Sequence, residues 1–244
     1  MISIIIPTLN EEGSLPAILD AIQQQRATHE VIVVDGGSRD RTLEIARDHK
    51  VRTLVSPPGR GGALCIGAHE ARGEILLFLH ADSILIPGAL DRISETLSTN
   101  PKIIGGNFRL VFDGDTPFSR WLTKFYARIR SIGLYYGDSG IFVHRSVYEA
   151  LGGFRSIPLM EDLDFVRRLE RFGLTCCITD PPLITSSRRF ERRHSLQIVY
   201  GWIRLHVLFW LGASPGWLAE IYKTHSPPPE TSESGPTRNV NGRE

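Results

Sequence analysis

Four short apolar runs, each followed by a stretch with helical spacing, limit what this chain can fold into. They are "ISIII" from Ile2, "EVIVVD" from Glu30, "RTLVS" from Arg52 and "EILLFLHAD" from Glu74. Strands with little polar alternation are buried on both faces, the mark of a parallel sheet covered by helices. Leu15, Ile18, Leu19 and Ile22 recur at helical spacing after the first run. Asp40 is a candidate N-cap for a second helix, with Leu43 and Ala46 inward. A loop, "PPGRGG", precedes a third helix in alanine-rich "ALCIGAHEA". Such alternation predicts an α/β fold, a mostly parallel sheet with helices on both faces.

Ligands of such sheets gather beyond the carboxyl ends of the strands. Polar residues stand at those ends here. Thr8, Asn10 and Glu11 follow the first run, Asp35 ends the second, Arg60 lies beyond the third, and His80 and Asp82 close the fourth. A carboxylate buried without partners costs several kcal/mol, about the stability of a domain. Asp82 is therefore expected at the ligand edge rather than in the core.

The second half is less regular. "IIGGNFRLVF" reads as a strand and "PFSRWLTKFYARIRSIG" as an amphipathic helix. "YGDSGIFVHRSVYEALGGF" reads as a turn, a strand and a short helix, and "MEDLDFVRRLERFG" as a helix with Leu163, Val166 and Leu169 inward. With no internal repeat and no clean linker, one domain is expected over residues 1–225. It divides into a first half (1–100), a second half (101–190) and C-terminal helices (195–225). Residues 226–244, "SPPPETSESGPTRNVNGRE", lack apolar periodicity and are expected to be disordered.

A net charge of +1 gives no general attraction to nucleic acid. The 3 cysteines, Cys65, Cys176 and Cys177, include an adjacent pair and are odd in number, so reduced thiols and a cytoplasmic setting are expected. The N-terminal run is too short for a signal peptide. In "LQIVYGWIRLHVLFWLG", Gln197, Tyr200 and Arg204 form a narrow polar stripe on an otherwise apolar helix. It falls short of the span of about 20 residues a bilayer requires. Residues 196–222 are therefore expected to pack on the sheet or a second subunit, or to lie at the inner face of a membrane, where tryptophan and arginine are at home.

Several clusters admit two readings. Asp35 before Gly36, Gly37 and Ser38 is either an acceptor for a nucleoside or the cap of a tight turn. His80 and Asp82, two apart, reach one ligand if the backbone is extended, and one carboxylate plus a ligand diphosphate is a common seat for a divalent cation. The alternative is a surface turn. Glu161, Asp162 and Asp164 stand at a helix start, where acidic side chains are favourable charges and caps. Arg188, Arg189, Arg192, Arg193 and His194 clamp phosphate or form a solvated face. Asp113 and Asp115 in "FDGD" are a rival metal pair or a turn.

Taken in order, "SIIIPTLNEE", "VIVVDGGSRDRT", "LFLHADS" and "MEDLDF" resemble the family 2 inverting nucleotide-sugar glycosyltransferases of the GT-A fold. The resemblance covers roughly the first 165 residues. It implies that Asp35 binds the base or ribose, with Pro7, Thr8, Asn10, Glu11, Gly36 and Arg60 in the nucleotide pocket. Asp82 would be the last position of the D-x-D motif and would hold Mn²⁺ or Mg²⁺ on the diphosphate of a UDP- or GDP-sugar, with His80 in the first position. Asp162, beside Glu161, would be the catalytic base. Gly137, Asp138 and Ser139 of "YGDSGIF" would serve the acceptor and donor sugar, and Arg188 and Arg189 the diphosphate. Imidazole in place of the first D-x-D carboxylate suits Mn²⁺ better than Mg²⁺. The Q-x-x-R-W motif of processive synthases is absent, which implies transfer of a single sugar to a hydroxyl acceptor. "SSRRFE" and "GDSGIFV" resemble a bacterial subgroup assigned to arsenosugar synthesis. A sugar nucleotidyltransferase would carry a Gly-rich basic loop where this chain has "PTLNEE"; a non-catalytic nucleotide-sugar sensor remains the other alternative.

Overall fold

The structure, a computed structural model, describes residues 1–187 and 195–225. In chain order the first half comprises β1 (Ile2–Thr8), α1 (Leu15–Gln23), β2 (His29–Asp35), α2 (Thr42–Asp48), β3 (Arg52–Val55), α3 (Arg60–Glu70), β4 (Ile75–Phe78), β5 (Ser83–Leu85) and α4 (Ala89–Thr99). The second half comprises β6 (Ile103–Phe112), α5 (Pro117–Arg130), a 3-10 turn (Gly137–Ser139), β7 (Ile141–His144), α6 (Arg145–Ala150), α7 (Glu161–Phe172), β8 (Leu174–Thr185), α8 (Ser195–Trp210) and α9 (Pro215–His225).

The strands form an 8-stranded sheet in the order β3-β2-β1-β4-β7-β6-β8-β5. β3, β2, β1 and β4 are mutually parallel, as the apolar runs predict. β7 runs antiparallel to both β4 and β6, and β5 antiparallel to β8, while β6 and β8 are parallel. The sheet is thus mostly parallel, with β5 and β7 reversed. β5 and β8 had no clear signal. β8 carries Asp180, Pro181 and Pro182 mid-strand, and its pairing with β6 shifts register between Phe108 and Leu110.

Alternate side chains of β1 point to opposite faces. Ile4 and Ile6 join one apolar cluster with Leu15, Ile18 and Leu19 of α1 and Leu90 and Ile93 of α4. Ile5 joins the other, with Ala63, Leu64 and Ala68 of α3 and Phe165, Val166 and Leu169 of α7. The fold therefore presses α3 and α7 onto the same face of the sheet.

α3 starts at Arg60, so part of the predicted loop is helical. Gly59, at φ +134°, makes the turn into it. A Cβ on Gly61 would lie 2.8 Å from the Arg155 carbonyl oxygen, and one on Gly67 would collide with Ile5 and sit 3.0 Å from Val34 Cγ2. Glycine inside a helix costs about 1 kcal/mol relative to alanine. Here it lets the helix lie close on β1 and β2 with Arg60 at its mouth.

α8 and α9 pack through Leu205 and Leu218 on Met160 and Leu163. The expected polar stripe is not what α8 shows outward: Ile203, Val207 and Trp210 are more than half exposed beside Tyr200, and Arg204 is half-buried. Among the described residues no helix is long and apolar enough to cross a membrane.

Gly67→Ala is predicted to destabilise the protein by about 1–3 kcal/mol in urea unfolding, because the extra methyl overpacks the α3–β1 contact. Gly62→Ala, whose Cβ would meet nothing closer than Ser156 Oγ at 3.8 Å, should be neutral or slightly stabilising. Equal losses in both variants would contradict the packing account.

Candidate active site

The carboxyl ends of β1, β2 and β4 open into a cleft of about 240 Å³. Pro7, Thr8, Glu11, Gly36, Arg60, His80 and Asp82 line it. The parallel register brings them together by pairing Thr8 with Asp35 and Ile5 with Phe78, so the three strands end side by side.

Asp35 is 1% exposed, and its carboxylate is already well used. One oxygen accepts the backbone N–H groups of Gly37 and Ser38, both at 2.9 Å. The other accepts Ser38 Oγ at 2.5 Å and Thr8 Oγ1 at 3.3 Å. These bonds are those of a turn cap, and Gly36 rather than Asp35 lines the cleft. Asn10, at φ +56°, accepts the Arg39 N–H at 2.8 Å and knits two loops outside the lining. Asp40 accepts the Thr42 N–H at 3.0 Å, but the N-cap of α2 is Arg41, one residue later than expected.

Beside Arg60, which lines the cleft and pairs with Glu161 and Asp162, α7 starts abruptly. Met160 takes a left-handed φ of +65°, a conformation costing about 1–2 kcal/mol for a non-glycine residue. It places Glu161 and Asp162, both buried, in the first turn of α7. Asp162 Oδ2 accepts the Gly137 N–H at 2.9 Å and Arg60 Nη2 at 3.2 Å, and Oδ1 accepts the Leu163 N–H at 2.8 Å. Arg60 Nε pairs with Glu161, and Arg60 Nη1 lies 3.2 Å from His80 Nε2. A Cβ on Gly137 would sit 3.0 Å from His80 Nε2 and 3.2 Å from Asp162 Oδ2, so any larger residue would make these side chains give by a few tenths of an ångström.

The electrostatics separate the two carboxylates. Burial pushes the Glu161 carboxyl up against the pull of Arg60, and the neighbouring Asp162 charge adds to the rise. Burial also opposes ionisation of Asp162. The Arg60 charge, the Gly137 and Leu163 N–H donors and His80 outweigh it and hold the group below the usual aspartate range. Asp162 is thus the more acidic member of the pair. Next to it, Tyr126 donates to Asp138 at 3.0 Å, while Ser139 turns its hydroxyl to the Tyr136 carbonyl at 2.6 Å. Tyr136 in turn donates to His206 Nε2 at 2.9 Å, tying α8 to the Gly137–Ser139 turn.

Asp82 is half-buried at the cleft mouth, and among the described residues its carboxylate makes no hydrogen bond or ion pair. His80 and Asp82 both line the cleft, the backbone leaves the strand after Phe78, and His80 Nε2 lies 3.2 Å from Arg60 Nη1. Among the described residues no group of three or more His, Cys, Asp or Glu side chains is set to hold a metal. A single unpaired carboxylate fits a hard cation that takes its other oxygens from phosphate and water. Asp113 accepts the Ser187 N–H at 2.7 Å and Asp115 pairs with Arg120 at 2.5 Å, so both serve the turn before α5. Asp164 braces Arg155 and Arg168 at 3.0 and 2.9 Å. Arg188 and Arg189, with Arg192, Arg193 and His194, lie outside the described residues.

A nucleotide-sized cleft at the ends of parallel strands, with a second carboxylate site brought in by the mixed half of the sheet, defines the GT-A class of glycosyltransferase folds. The chain belongs to glycosyl transferase family 2, whose pattern matches residues 3–150. An uncharacterized glycosyltransferase of Haemophilus influenzae is 32% identical over 187 residues, 69% of this chain and 62% of that protein. An undecaprenyl-phosphate 4-deoxy-4-formamido-L-arabinose transferase of Pseudomonas paraeruginosa is 29% identical over 171 residues, 62% of this chain and 49% of that protein. The chain thus spans about half to three-fifths of the length of these relatives. Among solved structures, a mannosyltransferase of Pyrobaculum calidifontis in complex with GDP-Man and Mn²⁺ superposes with a TM-score of 0.65 at 20% identity, over 92% of this chain and 68% of that one.

Because the Asp162 carboxyl lies below its unfolded value in the fold, its contribution to stability is present above about pH 4 and fades as pH falls through the folded value. The stability difference between the wild type and Asp162→Asn should therefore be largest near neutrality and narrow on acidification. Urea unfolding from pH 3 to 7 checks this; a difference that stays flat would contradict it.

Proposed function

We propose that the protein transfers a single hexosyl-type sugar from a UDP- or GDP-sugar to an acceptor hydroxyl, with inversion and with help from Mn²⁺ or Mg²⁺. The observation that carries this reading is Asp162, held by two backbone N–H groups beside Arg60 and His80, which also line the cleft where Asp82, among the described residues, makes no hydrogen bond or ion pair. Asp82 would hold the cation, which when bound neutralises the departing diphosphate as a Lewis acid. Arg60 and the first turn of α3 add positive potential to the same cleft. Asp162 accepts the acceptor's proton as its oxygen attacks the anomeric carbon from the opposite face, so one displacement inverts that centre. General-base assistance of this kind is typically worth about 10²–10⁴ in rate. His80, at 3.2 Å from Arg60 Nη1, would serve as a partner of that guanidinium and leave Asp82 as the chief protein ligand.

Support for a nucleotide-sugar donor comes from the family and from the solved relative that holds GDP-Man and Mn²⁺. A nucleotidyltransferase reading lacks a Gly-rich basic loop after β1. A purely binding role leaves the ionised, exactly oriented base of α7 without a task. The apolar face of α8 suits a cover, either a second copy of the chain or the inner surface of a membrane that carries a polyprenyl-phosphate-linked acceptor, as the undecaprenyl-phosphate relative's name implies for that protein. Liposome co-sedimentation against sedimentation velocity separates the two covers.

The reading is tested with purified protein and a panel of UDP- and GDP-sugars, with and without Mn²⁺, followed by thermal shift and by nucleotide release. At least one donor should stabilise the protein only in the presence of the cation, and Asp82→Ala should lose that response while keeping its fold. Asp162→Asn should bind the donor no more weakly than wild type and lose about 10²-fold or more in turnover. Unchanged turnover in Asp162→Asn would shift the base to Glu161 or Asp138. A full metal response in Asp82→Ala would overturn the cation site.

A further inference from the structure

Arg60 faces two sets of anions. Its guanidinium is committed on one side to Glu161, to Asp162 at 3.2 Å and to His80 at 3.2 Å. On the other side it lines the cleft with Asp82 and Glu11, and the side chain is 37% exposed there. Of the described residues that line the cleft, Arg60 carries the fixed positive charge, since the remaining ionisable ones are Glu11, His80 and Asp82. A diphosphate entering this space brings two or more negative charges to the neighbourhood of that one cation. Guanidinium–phosphate pairs are as well matched as guanidinium–carboxylate pairs, so the two anions compete.

We propose that Arg60 is a latch on the catalytic carboxylates: in the empty protein it covers Glu161 and Asp162, and the diphosphate of an incoming nucleotide draws it off them. This rests on the nucleotide-sugar reading given above. The backbone at Arg60 is fixed, because Gly61 is wedged against the Arg155 carbonyl and Glu161, so the exchange is a swing of the side chain about its own bonds. Asp162 keeps its two N–H donors from Gly137 and Leu163 when Arg60 leaves, and so keeps its orientation. It loses the cation that screens it and makes it a weak base. Proton abstraction is thereby tied to an occupied donor site, and donor binding precedes productive acceptor binding. Arg60 acts as a positioning residue that changes partners, and it touches the donor only in the second state.

The sign of one coupling decides the matter. If Arg60 must abandon Asp162 to grip the diphosphate, Asp162→Asn removes the competitor and nucleotide binds about threefold or more tightly. In an Arg60→Gln background the same change should alter affinity by less than about twofold. Calorimetric titration of the full chain with UDP and with GDP, at saturating Mn²⁺, measures all four corners of the cycle. Glu161→Gln provides a second, independent release of Arg60 with the same expected sign. Circular dichroism establishes that each variant is folded. If the carboxylates instead hold Arg60 ready for the diphosphate, both substitutions weaken binding, and the latch is overturned. It is equally overturned if they tighten binding to the same extent with and without Arg60, since simple removal of negative charge would then explain the gain. If wild type binds neither nucleotide, the donor reading itself falls and the latch with it; binding without the predicted sign removes the latch alone.

Discussion

The ion pairs from Arg60 to Glu161 and Asp162 join residues 101 and 102 positions apart, and the site depends on that junction. Arg60 heads the helix that follows the parallel strand β3, whereas the two carboxylates follow the half of the sheet in which β7 reverses direction. Two adjacent buried carboxylates repel, and without a cation one of them would take up a proton. Arg60 allows Asp162 to stay ionised inside a wall that is almost closed to water. Its exposure toward the cleft screens the pair, so its value lies in holding charge in place more than in stability.

That junction needs close approach, and the chain supplies it with small residues. Gly61 and Gly67 bring α3 down on the sheet, and Gly137 leaves room for Asp162 and His80 to face each other. Met160 accepts a left-handed backbone so that α7 begins with its carboxylates inward. Strain of this sort is tolerated where surrounding structure over-determines it. Here the surroundings are the packing of Met160 and Leu163 under α8 and α9 and the aromatic cluster of Phe78, Tyr148, Phe154 and Phe165.

Much of the parallel half was legible in the sequence because uninterrupted apolar runs and helical spacing are local signals. β1 to β4, α1 and α2 follow them, and the polar residues at strand ends do gather at one edge. The reversed strands were not legible in the same way. Nothing in "SIL" or "IFVH" signals pairing in the opposite direction, and the prolines within "LTCCITDPPLIT" hide β8 as a strand. Site residues show the same divide. Asp82 and Arg60 stand out in the sequence by their place after strands, and both line the cleft. The ties of Arg60 to α7, of the Gly137 N–H to Asp162 and of Tyr136 to His206 arise from contacts between distant segments, which no spacing encodes. Asp35 illustrates a pattern that two structures satisfy, and in the fold its carboxylate is taken up by its own turn.

The account's central claim is that Asp82 and Asp162, from opposite halves of the sheet, serve one donor site. Crystals grown with UDP or GDP and Mn²⁺, measured at the manganese absorption edge, test it most directly. The account predicts one strong anomalous peak within coordination distance of the Asp82 carboxylate, with the diphosphate between it and the head of α3. A peak at Asp113 and Asp115, or a nucleotide bound away from the ends of β1, β2 and β4, would contradict it.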